Sequence, residues 1–508
     1  MKNLRRVSQG AFLLLFLFLF IQTESKGNDT LGYPVKIFLD FDPLILITTL
    51  FAAHTVEKLF FLSLGLIALS LLLGRVFCGW ACPLGTLHNI VGALKKHTEK
   101  VTVEGLYRIK YLVLLFLLVS SLFSLQLVGI VDPLSFLIRS LSVSIYPAFN
   151  QAVNSFFEAI YSAGGGAEPM YRMLKKSVLS FEQPNFRQAA FIGFVFLGVL
   201  GLNLITSRFW CKYLCPLGAL LGLLSRFSVL KRSVSEGCTS CGACARVCQG
   251  GAAPDKGNAW KDAECLSCWN CDDVCPQNAV SFGFRGKKHA AGLDLGRRRV
   301  MAAAASGLVA APVLKITPHV TPLAADPLLI RPPGSREEKD FLRRCVKCGE
   351  CMKVCITNGL QPTMLEAGLE GIWSPMLVPR MGYCEYRCTL CGQVCPTGAI
   401  RRLPLEEKTK VKIGLAMLDK GRCLPWAHAT PCIVCEEVCP TPKKAIWLED
   451  ARVTGRNGKQ VTVKQPRVDL ELCIGCGICE EKCPVGGRAA IYVTSIGETR
   501  SRENKLLL

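Results

Sequence analysis

Hydrophobic residues form continuous runs in the first 230 positions of the chain and are more scattered after them. Three runs, 59–73, 111–130 and 189–205, are long enough with their flanks to cross about 30 Å of hydrocarbon as helices. A shorter run, 11–21, follows a basic start and fits either a signal peptide or an uncleaved anchor helix, of which we favour the anchor. The pattern predicts an α-helical membrane bundle of about four or five spans in residues 1–230.

A sequence repeat lies within this predicted bundle. The pattern Arg-x2-Cys-x3-Cys-Pro-Leu-Gly occurs twice and supplies four cysteines: Cys78, Cys82, Cys211 and Cys215. An Asp-Pro-Leu triplet precedes each copy, at Asp42 and at Asp132. Two copies of one unit indicate a pseudo-symmetric bundle with both cysteine pairs at equivalent helix ends.

Three roles are open for the four repeated cysteines. Residues four apart share one face of a helix, so the two pairs can converge on a metal or cluster site near the membrane surface. Redox-active dithiols are the second interpretation, and small buried core residues are the third. The duplication argues against the third, because chance does not repeat Cys-x3-Cys-Pro-Leu-Gly.

Basic residues predict the orientation of the bundle. The loop 75–110 is rich in Lys and Arg, and residues 208–299 contain 14 basic against seven acidic side chains. The intervening stretch 131–187 is nearly balanced. Positive charge favours the cytoplasmic side, so we expect the first two regions in the cytoplasm and the chain in a bacterial inner membrane.

Composition supports a membrane protein and excludes other classes. Half of the residues are hydrophobic, 19% are charged, and the mean hydropathy of +0.32 is too high for an ordinary soluble protein. The 28 cysteines in 508 residues are not an extracellular disulfide lattice, which belongs to short chains without a core. Cytoplasmic loops and buried anionic clusters account for the net charge of +21, so it predicts no nucleic-acid partner.

The other 24 cysteines fall into six blocks of four. Two blocks lie close together: Cys238, Cys241, Cys244 and Cys248, then Cys265, Cys268, Cys271 and Cys275. Four more follow: Cys345, Cys348, Cys351 and Cys355; Cys384, Cys388, Cys391 and Cys395; Cys423, Cys432, Cys435 and Cys439; Cys473, Cys476, Cys479 and Cys483. Four of the six have the spacing Cys-x2-Cys-x2-Cys-x3-Cys, and a proline follows the last cysteine in four.

This spacing is typical of 4Fe-4S clusters. Three thiolates on one tight loop bind three corners of the cube, while the fourth cysteine reaches a neighbouring cluster. Structural zinc, the alternative, usually takes two separated Cys-x2-Cys pairs. We therefore predict six 4Fe-4S clusters, although the blocks that begin at Cys384 and Cys423 depart from the spacing and Cys423 is the least regular ligand.

Exchange of the fourth cysteine predicts which cysteines share a cluster. In the first two blocks, Cys275 joins Cys238, Cys241 and Cys244, and Cys248 joins Cys265, Cys268 and Cys271. In the last four blocks the spacing allows two arrangements. In a sequential exchange, the first block exchanges its last cysteine with the second block. In a nested exchange, the first block exchanges its last cysteine with the fourth block, and the second block with the third.

Composition divides the chain into five segments: a membrane domain (1–230), a two-cluster ferredoxin domain (231–290), a basic helix (291–315), a proline-rich linker (316–340) and a four-cluster domain (341–508). The ferredoxin domains are expected to be α+β, with a short strand after the blocks, as at Ile400 and Ile491.

Arg297, Arg298 and Arg299 before a weakly apolar run indicate a twin-arginine signal. Such export moves a folded, cluster-loaded domain and would place 341–508 in the oxidising periplasm. A plain basic patch on a cytoplasmic domain is the alternative.

These motifs resemble two protein families. Residues 1–290, with the predicted spans, two Cys-x3-Cys-Pro motifs and a two-cluster tail, resemble the NapH type of membrane ferredoxin associated with periplasmic nitrate reduction. The remainder resembles the NapG type, a twin-arginine-exported protein with four cubane clusters, in the wide gap from Cys423 to Cys432 and in Cys435-Glu-Glu-Val-Cys439-Pro440. The resemblance implies a fusion of two usually separate subunits that carries electrons from quinol towards a periplasmic reductase. Likeness to four-cluster subunits of molybdenum oxidoreductases implies the nested exchange.

The predicted function is electron transfer from the membrane quinone pool, through the clusters, to a periplasmic reductase or cytochrome. No group of residues resembles a substrate-transforming site, so we expect a subunit of a quinol-oxidising complex with no catalytic residues of its own. The rival hypothesis is a maturation or regulatory factor that handles metal or thiols for a periplasmic metalloenzyme. His54 and His88 lie near membrane segments, where a histidine can contact quinone or haem, but we interpret both as ordinary core or interface residues.

Overall fold

The computed structural model describes residues 1–25, 27, 29–55, 61–94, 105–253, 260–284, 295–315, 328–455, 458 and 460–505. The basic loop 95–104, residues 285–294 around the boundary predicted at residue 290, and the linker residues 316–327 lie outside this range. The chain divides into two compact units. Unit 1 comprises Met1–Gln22, Tyr33–Leu141 and Ala190–Val313, and unit 2 comprises Thr23–Gly32, Ser142–Ala189 and Leu314–Leu508.

Helices dominate the described chain up to residue 315. They are α1 (Lys2–Gln22), α2 (Ile37–Asp40), α3 (Pro43–Ala53), α4 (Leu62–Leu73), α5 (Pro83–Ala93), α6 (Ile109–Leu122), α7 (Val128–Val131), α8 (Pro133–Ser140), α9 (Tyr146–Ser162), α10 (Glu168–Ser177), α11 (Ala189–Gly201), α12 (Phe209–Tyr213), α13 (Pro216–Ser225), α14 (Ala243–Arg246), α15 (Asn270–Asp273) and α16 (Arg297–Lys315). A π-helical turn, Phe77–Ala81, precedes α5, and a 3-10 turn, Asp262–Glu264, precedes α15. The helices α9 and α10 belong to unit 2, and the sequence pattern did not predict them.

The repeat builds the same helix starts twice in unit 1. Asp42 and Asp132 accept backbone N–H groups at the starts of α3 and α8, and a proline follows each aspartate. Cys82 and Cys215 have the same role at the starts of α5 and α13, again with a proline after each. The two copies therefore share their helix starts, although Cys78 lies in the π-helical turn and Cys211 lies in α12.

The apolar helices of unit 1 are shorter than the predicted spans. Among the described helices, only α1 is long and apolar enough to cross a membrane, judged by length and composition. The helices α3, α4, α13 and α11 with its short extension are apolar but have fewer residues. The run 111–130 is interrupted, because α6 ends at Leu122 and Ser124 has a φ of 60°. In the core of the unit, α6 packs against α3 and α13.

The first ferredoxin segment is part of unit 1. Its strands β1 (Lys231–Val234) and β2 (Val280–Gly283) pair antiparallel on either side of the two cysteine blocks. The 3-10 turn of the segment packs against α13. A Cβ atom at Gly222 of α13 would lie 2.8 Å from the carbonyl oxygen of Ala263, so this close approach requires glycine.

The helix that carries the arginine triplet also packs within unit 1. A Cβ atom at Gly307 of α16 would lie 3.0 Å from the carbonyl oxygen of Phe116 in α6. Ser120 of α6 donates its hydroxyl to the carbonyl of Gly307 at 3.5 Å. The small side chains of Gly307 and Ser120 allow the two helices to approach closely.

Unit 2 holds the last four cysteine blocks on short elements. Its later helices are α17 (Glu338–Arg344), α18 (Glu350–Lys353), α19 (Leu390–Val394), α20 (Leu405–Lys408), α21 (Leu424–Ala427), α22 (Val434–Glu437) and α23 (Ile478–Glu481). Its strands are β3 (Leu360–Pro362), β4 (Pro375–Leu377), β5 (Leu415–Leu418), β6 (Ile446–Thr454), β7 (Gln460–Val468) and β8 (Ile491–Thr494). They form the antiparallel pairs β3–β4, β5–β8 and β6–β7. The strand predicted at Ile491 is present, whereas Ile400 forms only a single bridge with Ser335.

Candidate iron–sulfur centres

Sixteen cysteines of unit 2 line four cavities. The four sets are Cys345, Cys348, Cys351 and Cys395; Cys355, Cys384, Cys388 and Cys391; Cys423, Cys432, Cys435 and Cys483; and Cys439, Cys473, Cys476 and Cys479. Each set takes three cysteines from one block and the last cysteine from another. This is the exchange that adjacent cubane clusters require.

The exchange is sequential and not nested. The first and second blocks exchange their last cysteines, and the third and fourth blocks do the same. The physical reason is packing, because α18 lies against α19 and α22 lies against α23. The nested exchange that the family resemblance implied is therefore wrong for this structure.

Glycines shape the cysteine loops of unit 2. Gly349 and Gly477 have φ values of 83° and 86° directly before α18 and α23, which carry the third cysteine of their blocks. A Cβ atom at Gly477 would also lie 2.8 Å from the Cβ atom of Pro379. Both the backbone conformation and the close contact therefore exclude a larger residue at Gly477.

Hydrogen bonds and burial act in opposite directions on the thiols. The N–H groups of Ile400 and Ala416 donate to the sulfurs of Cys395 and Cys473, both at 3.4 Å. Such bonds favour the thiolate and help to set the potential of a cluster. Burial, however, raises the pKa of Cys388 to about 12. A thiol in this setting stays protonated until a metal displaces the proton.

The cavities fit a four-iron cluster better than a single metal ion. Four sulfurs around one zinc ion would each lie about 2.3 Å from it. Among the described residues, no three His, Cys, Asp or Glu side chains are placed to hold one ion. The thiols instead surround a space whose other lining is largely apolar, including Val354, Leu360 and Ile413 in the second set. This donor set is that of a cube with one thiolate at each iron.

In unit 1, the segment 238–275 brings together one of the two predicted sets. Four of its thiols interact electrostatically with one another: Cys248, Cys265, Cys268 and Cys271. This grouping has the exchanged fourth cysteine that the spacing predicts. Of the remaining cysteines, Cys238 and Cys241 are exposed, and Cys244 and Cys275 are half-buried.

The four cysteines of the repeat also lie together in unit 1. Cys82 interacts electrostatically with Cys211 and Cys78, and Cys215 interacts with all three. Cys78, Cys82 and Cys215 are buried, and Cys211 is half-buried. The sulfurs of Cys82 and Cys215 each accept the N–H of the third residue after them, at 3.4 and 3.2 Å. We call this group the four-thiol site, and it is the convergence that the first of the three interpretations requires.

Two buried arginines beside the four-thiol site were missed in the sequence. Arg75 and Arg208 each stand three residues before the first cysteine of a copy, and both are at most 1% exposed. Arg208 donates to the carbonyl of Cys78 at 2.8 Å, and Arg75 lies against Gly218, three residues after Cys215. Each arginine therefore contacts the other copy of the repeat. Two guanidinium groups provide the positive charge that a buried anionic cluster needs. The only signal for them was their presence in both copies.

A buried charge cluster connects the first ferredoxin segment to the helices of unit 1. Glu264, next to Cys265, is 2% exposed. Its carboxylate accepts from Arg75 at 3.2 Å, from Tyr111 at 2.7 Å and from Lys110. Burial raises the pKa of Glu264, but the opposite effect of the neighbouring Lys110 and Arg75 is larger and brings the pKa below its ordinary value. The carboxylate is therefore ionised at neutral pH. Arg75 thus belongs to both the four-thiol site and this cluster.

The two histidines near the apolar helices differ in their surroundings. His88 is buried in α5, and its Nδ1 forms a hydrogen bond with the Asn203 amide, while its Nε2 has no hydrogen-bond partner among the described residues. His54 is exposed at the end of α3, where its φ is 54°. These are the settings of a core residue and a surface residue.

Comparison with known proteins gives the cysteine sites a chemical identity. A 4Fe-4S binding domain matches residues 59–100 and 188–235, which include the four-thiol site, and a second 4Fe-4S binding domain matches residues 466–487. The methylamine utilization ferredoxin-type protein MauM of Methylorubrum extorquens is 36% identical over 194 residues, which are 37% of this chain and 83% of MauM. The chain belongs to the MauM family of ferredoxin-type proteins.

Other relatives match smaller shares of their own length. The ferredoxin-type protein NapG of Escherichia coli is 38% identical over 30% of this chain and 65% of NapG. YccM of Escherichia coli, which is named for electron transport, is 31% identical over 45% of this chain and 56% of YccM. No solved structure matches the chain. As a ferredoxin-type protein, the chain binds iron–sulfur clusters and transfers electrons.

Proposed function

We propose that this ferredoxin-type protein is a membrane-bound subunit that passes electrons from quinol to a periplasmic reductase or cytochrome, using six 4Fe-4S clusters. The observation that carries the proposal is that the cysteines of the blocks lie in groups of four within each unit. Bound 4Fe-4S clusters supply one-electron chemistry. The residues of the chain hold them, exclude water from them and set their potentials.

The apolar helices of unit 1 support the membrane location. Gln9 of α1 donates its amide to the carbonyl of Gly79 at 2.6 Å, and Arg5 donates to Gln249 at 3.2 Å. Because α1 packs in this way within unit 1, we interpret it as an uncleaved anchor. The shorter apolar helices then complete a bundle of four or five spans, as in the NapH type of membrane ferredoxin.

The four-thiol site is the proposed entry point for electrons from quinol. It lies among the apolar helices, and Arg75 connects it to Glu264 beside the cysteine ligands of the first ferredoxin segment. We assign a further metal or cluster to the site. The burial of Cys78, Cys82 and Cys215 disfavours thiol exchange with another protein, so it also weighs against the rival maturation factor.

We expect quinol to reduce the clusters of the full chain at turnover rates in isolated membranes. Replacing Cys78 and Cys211 with serine should remove about four irons per chain and abolish this reduction, while dithionite still reduces the remaining clusters. Iron analysis and visible absorbance measure both effects after anaerobic purification.

Three results would contradict parts of this proposal. A cluster-loaded preparation that quinol does not reduce favours the maturation factor. If the iron content of the serine variant is unchanged, the four-thiol site binds no cluster. Its cysteines are then redox-active dithiols or core residues. Zinc in place of iron refutes the cluster assignment as a whole.

The arginine triplet of α16 gives a separate test of the proposed topology. Changing Arg297, Arg298 and Arg299 to lysine keeps the charge but removes the twin-arginine signal, so residues 341–508 should stay in the cytoplasm. In spheroplasts, external protease should cleave the C-terminal domain of the natural chain and spare that of the variant. The matched control changes Arg401 and Arg402 to lysine and should behave as the natural chain. If the natural domain is itself protected, both ferredoxin regions face the cytoplasm.

A further inference from the structure

The two Asp-Pro-Leu triplets place two buried carboxyl groups together in unit 1. Asp42 accepts the N–H groups of Leu44 and Ile45 through Oδ1, at 2.8 and 3.4 Å. Asp132 accepts those of the second and third residues after it through Oδ2, at 3.1 and 2.8 Å. Both aspartates are fully buried. Capping a helix start therefore uses one oxygen of each carboxyl group.

The other two oxygens have no ordinary donor. Asp42 Oδ2 and Asp132 Oδ1 lack a hydrogen-bond partner that donates to them among the described residues. The two carboxyl groups are nevertheless within hydrogen-bonding reach of each other. Two ionised carboxylates in contact and away from water repel strongly, whereas one shared proton converts the contact into a hydrogen bond.

Other charged side chains near the pair have different partners. Arg139, on the helix that Asp132 caps, donates to the carbonyls of Gly129 and Ile130 at 2.8 and 3.1 Å. Asp40 on α2 is also buried, and Asp132, not Asp40, has the largest influence of any charged group on Asp42. The two members of the pair therefore act mainly on each other.

We propose that Asp42 and Asp132 form a proton-binding site in which the two buried carboxyl groups share one proton. The protonated oxygen of one group donates to the free oxygen of the other, so the pair carries one negative charge instead of two.

Asparagine variants separate proton binding from helix capping. Asparagine caps a helix start as well as aspartate does. Its amide also donates to the remaining carboxylate, so Asp42→Asn or Asp132→Asn should leave the fold intact without the shared proton. Asp40→Asn is the matched control, because burial raises the pKa of Asp40 only to about 6 and it is ionised at about pH 8.

Infrared spectroscopy of the full chain at about pH 8 should show a protonated carboxyl band that Asp42→Asn and Asp132→Asn each abolish and Asp40→Asn retains. A band that survives in either pair variant, or that is absent from the natural chain, overturns the shared proton.

Discussion

A chain in which Cys355 and Cys388 are both replaced by alanine should lose about four irons, as many as either single variant loses. Both cysteines line one cavity, so the second replacement affects a cluster that is already gone. Replacing Cys355 together with Cys348 should remove about eight irons, because Cys348 lines a different cavity. Iron analysis of the anaerobically purified full chain distinguishes the two results.

The nested exchange predicts a different pattern. Cys355 would then share a cluster with the last block, so the variant lacking Cys355 and Cys388 would lose about eight irons. The matched test in the other two blocks replaces Cys483 and Cys432, which line one cavity, and should again remove about four irons. A loss of about eight irons from either same-cavity pair contradicts the sequential arrangement.

The cysteine chemistry was predictable because it is local. Three thiols within seven residues can form a cluster-binding loop without help from distant parts of the chain. The strand after a block is local as well, and β2 and β8 begin at Val280 and Ile491, soon after the last cysteine of their blocks. The repeat likewise predicted equivalent positions at helix ends for the two cysteine pairs, and Cys82 and Cys215 stand at the starts of α5 and α13.

The pairing of the blocks was not predictable, because it depends on which short helices pack together. Spacing alone permits both arrangements, and the contact of α18 with α19 decides between them. Hydropathy also did not predict that the helix formed by the run 111–130 is interrupted. The run is mainly apolar, yet the positive φ of Ser124 interrupts it, and a hydropathy average contains no information on backbone conformation.

The charged partners at the sites were also beyond sequence reasoning. Arg75 and Glu264 are 189 residues apart in the chain and meet only in the folded unit. Neither lies in a pattern of charges that distinguishes it from a surface residue. Their burial is the signal, and burial of a single charged residue is not visible in composition or spacing.

Replacing Glu264 with glutamine should destabilise the docking of residues 231–284 in unit 1 by roughly 3–5 kcal/mol. Glutamine keeps the size of the side chain, but Lys110 and Arg75 then carry buried charges without a counter-charge. We expect the segment to open, which limited proteolysis of the full chain detects as faster cleavage between β1 and β2. The iron bound by Cys248, Cys265 and the other cysteines of this segment should be lost in parallel.

Asp273→Asn is the matched control for Glu264→Gln. Asp273 is an acid of the same segment and pairs with Lys2 of α1 at 3.2 Å, but the two side chains are 45% and 37% exposed. Exposed ion pairs contribute about 0–1 kcal/mol, so this variant should resist protease as the natural chain does. Adding Lys110→Met to Glu264→Gln should recover part of the lost stability, because one unpaired buried charge is removed. If Glu264→Gln and Asp273→Asn are equally protected, charge does not hold the segment in place, and the close backbone contact at Gly222 does.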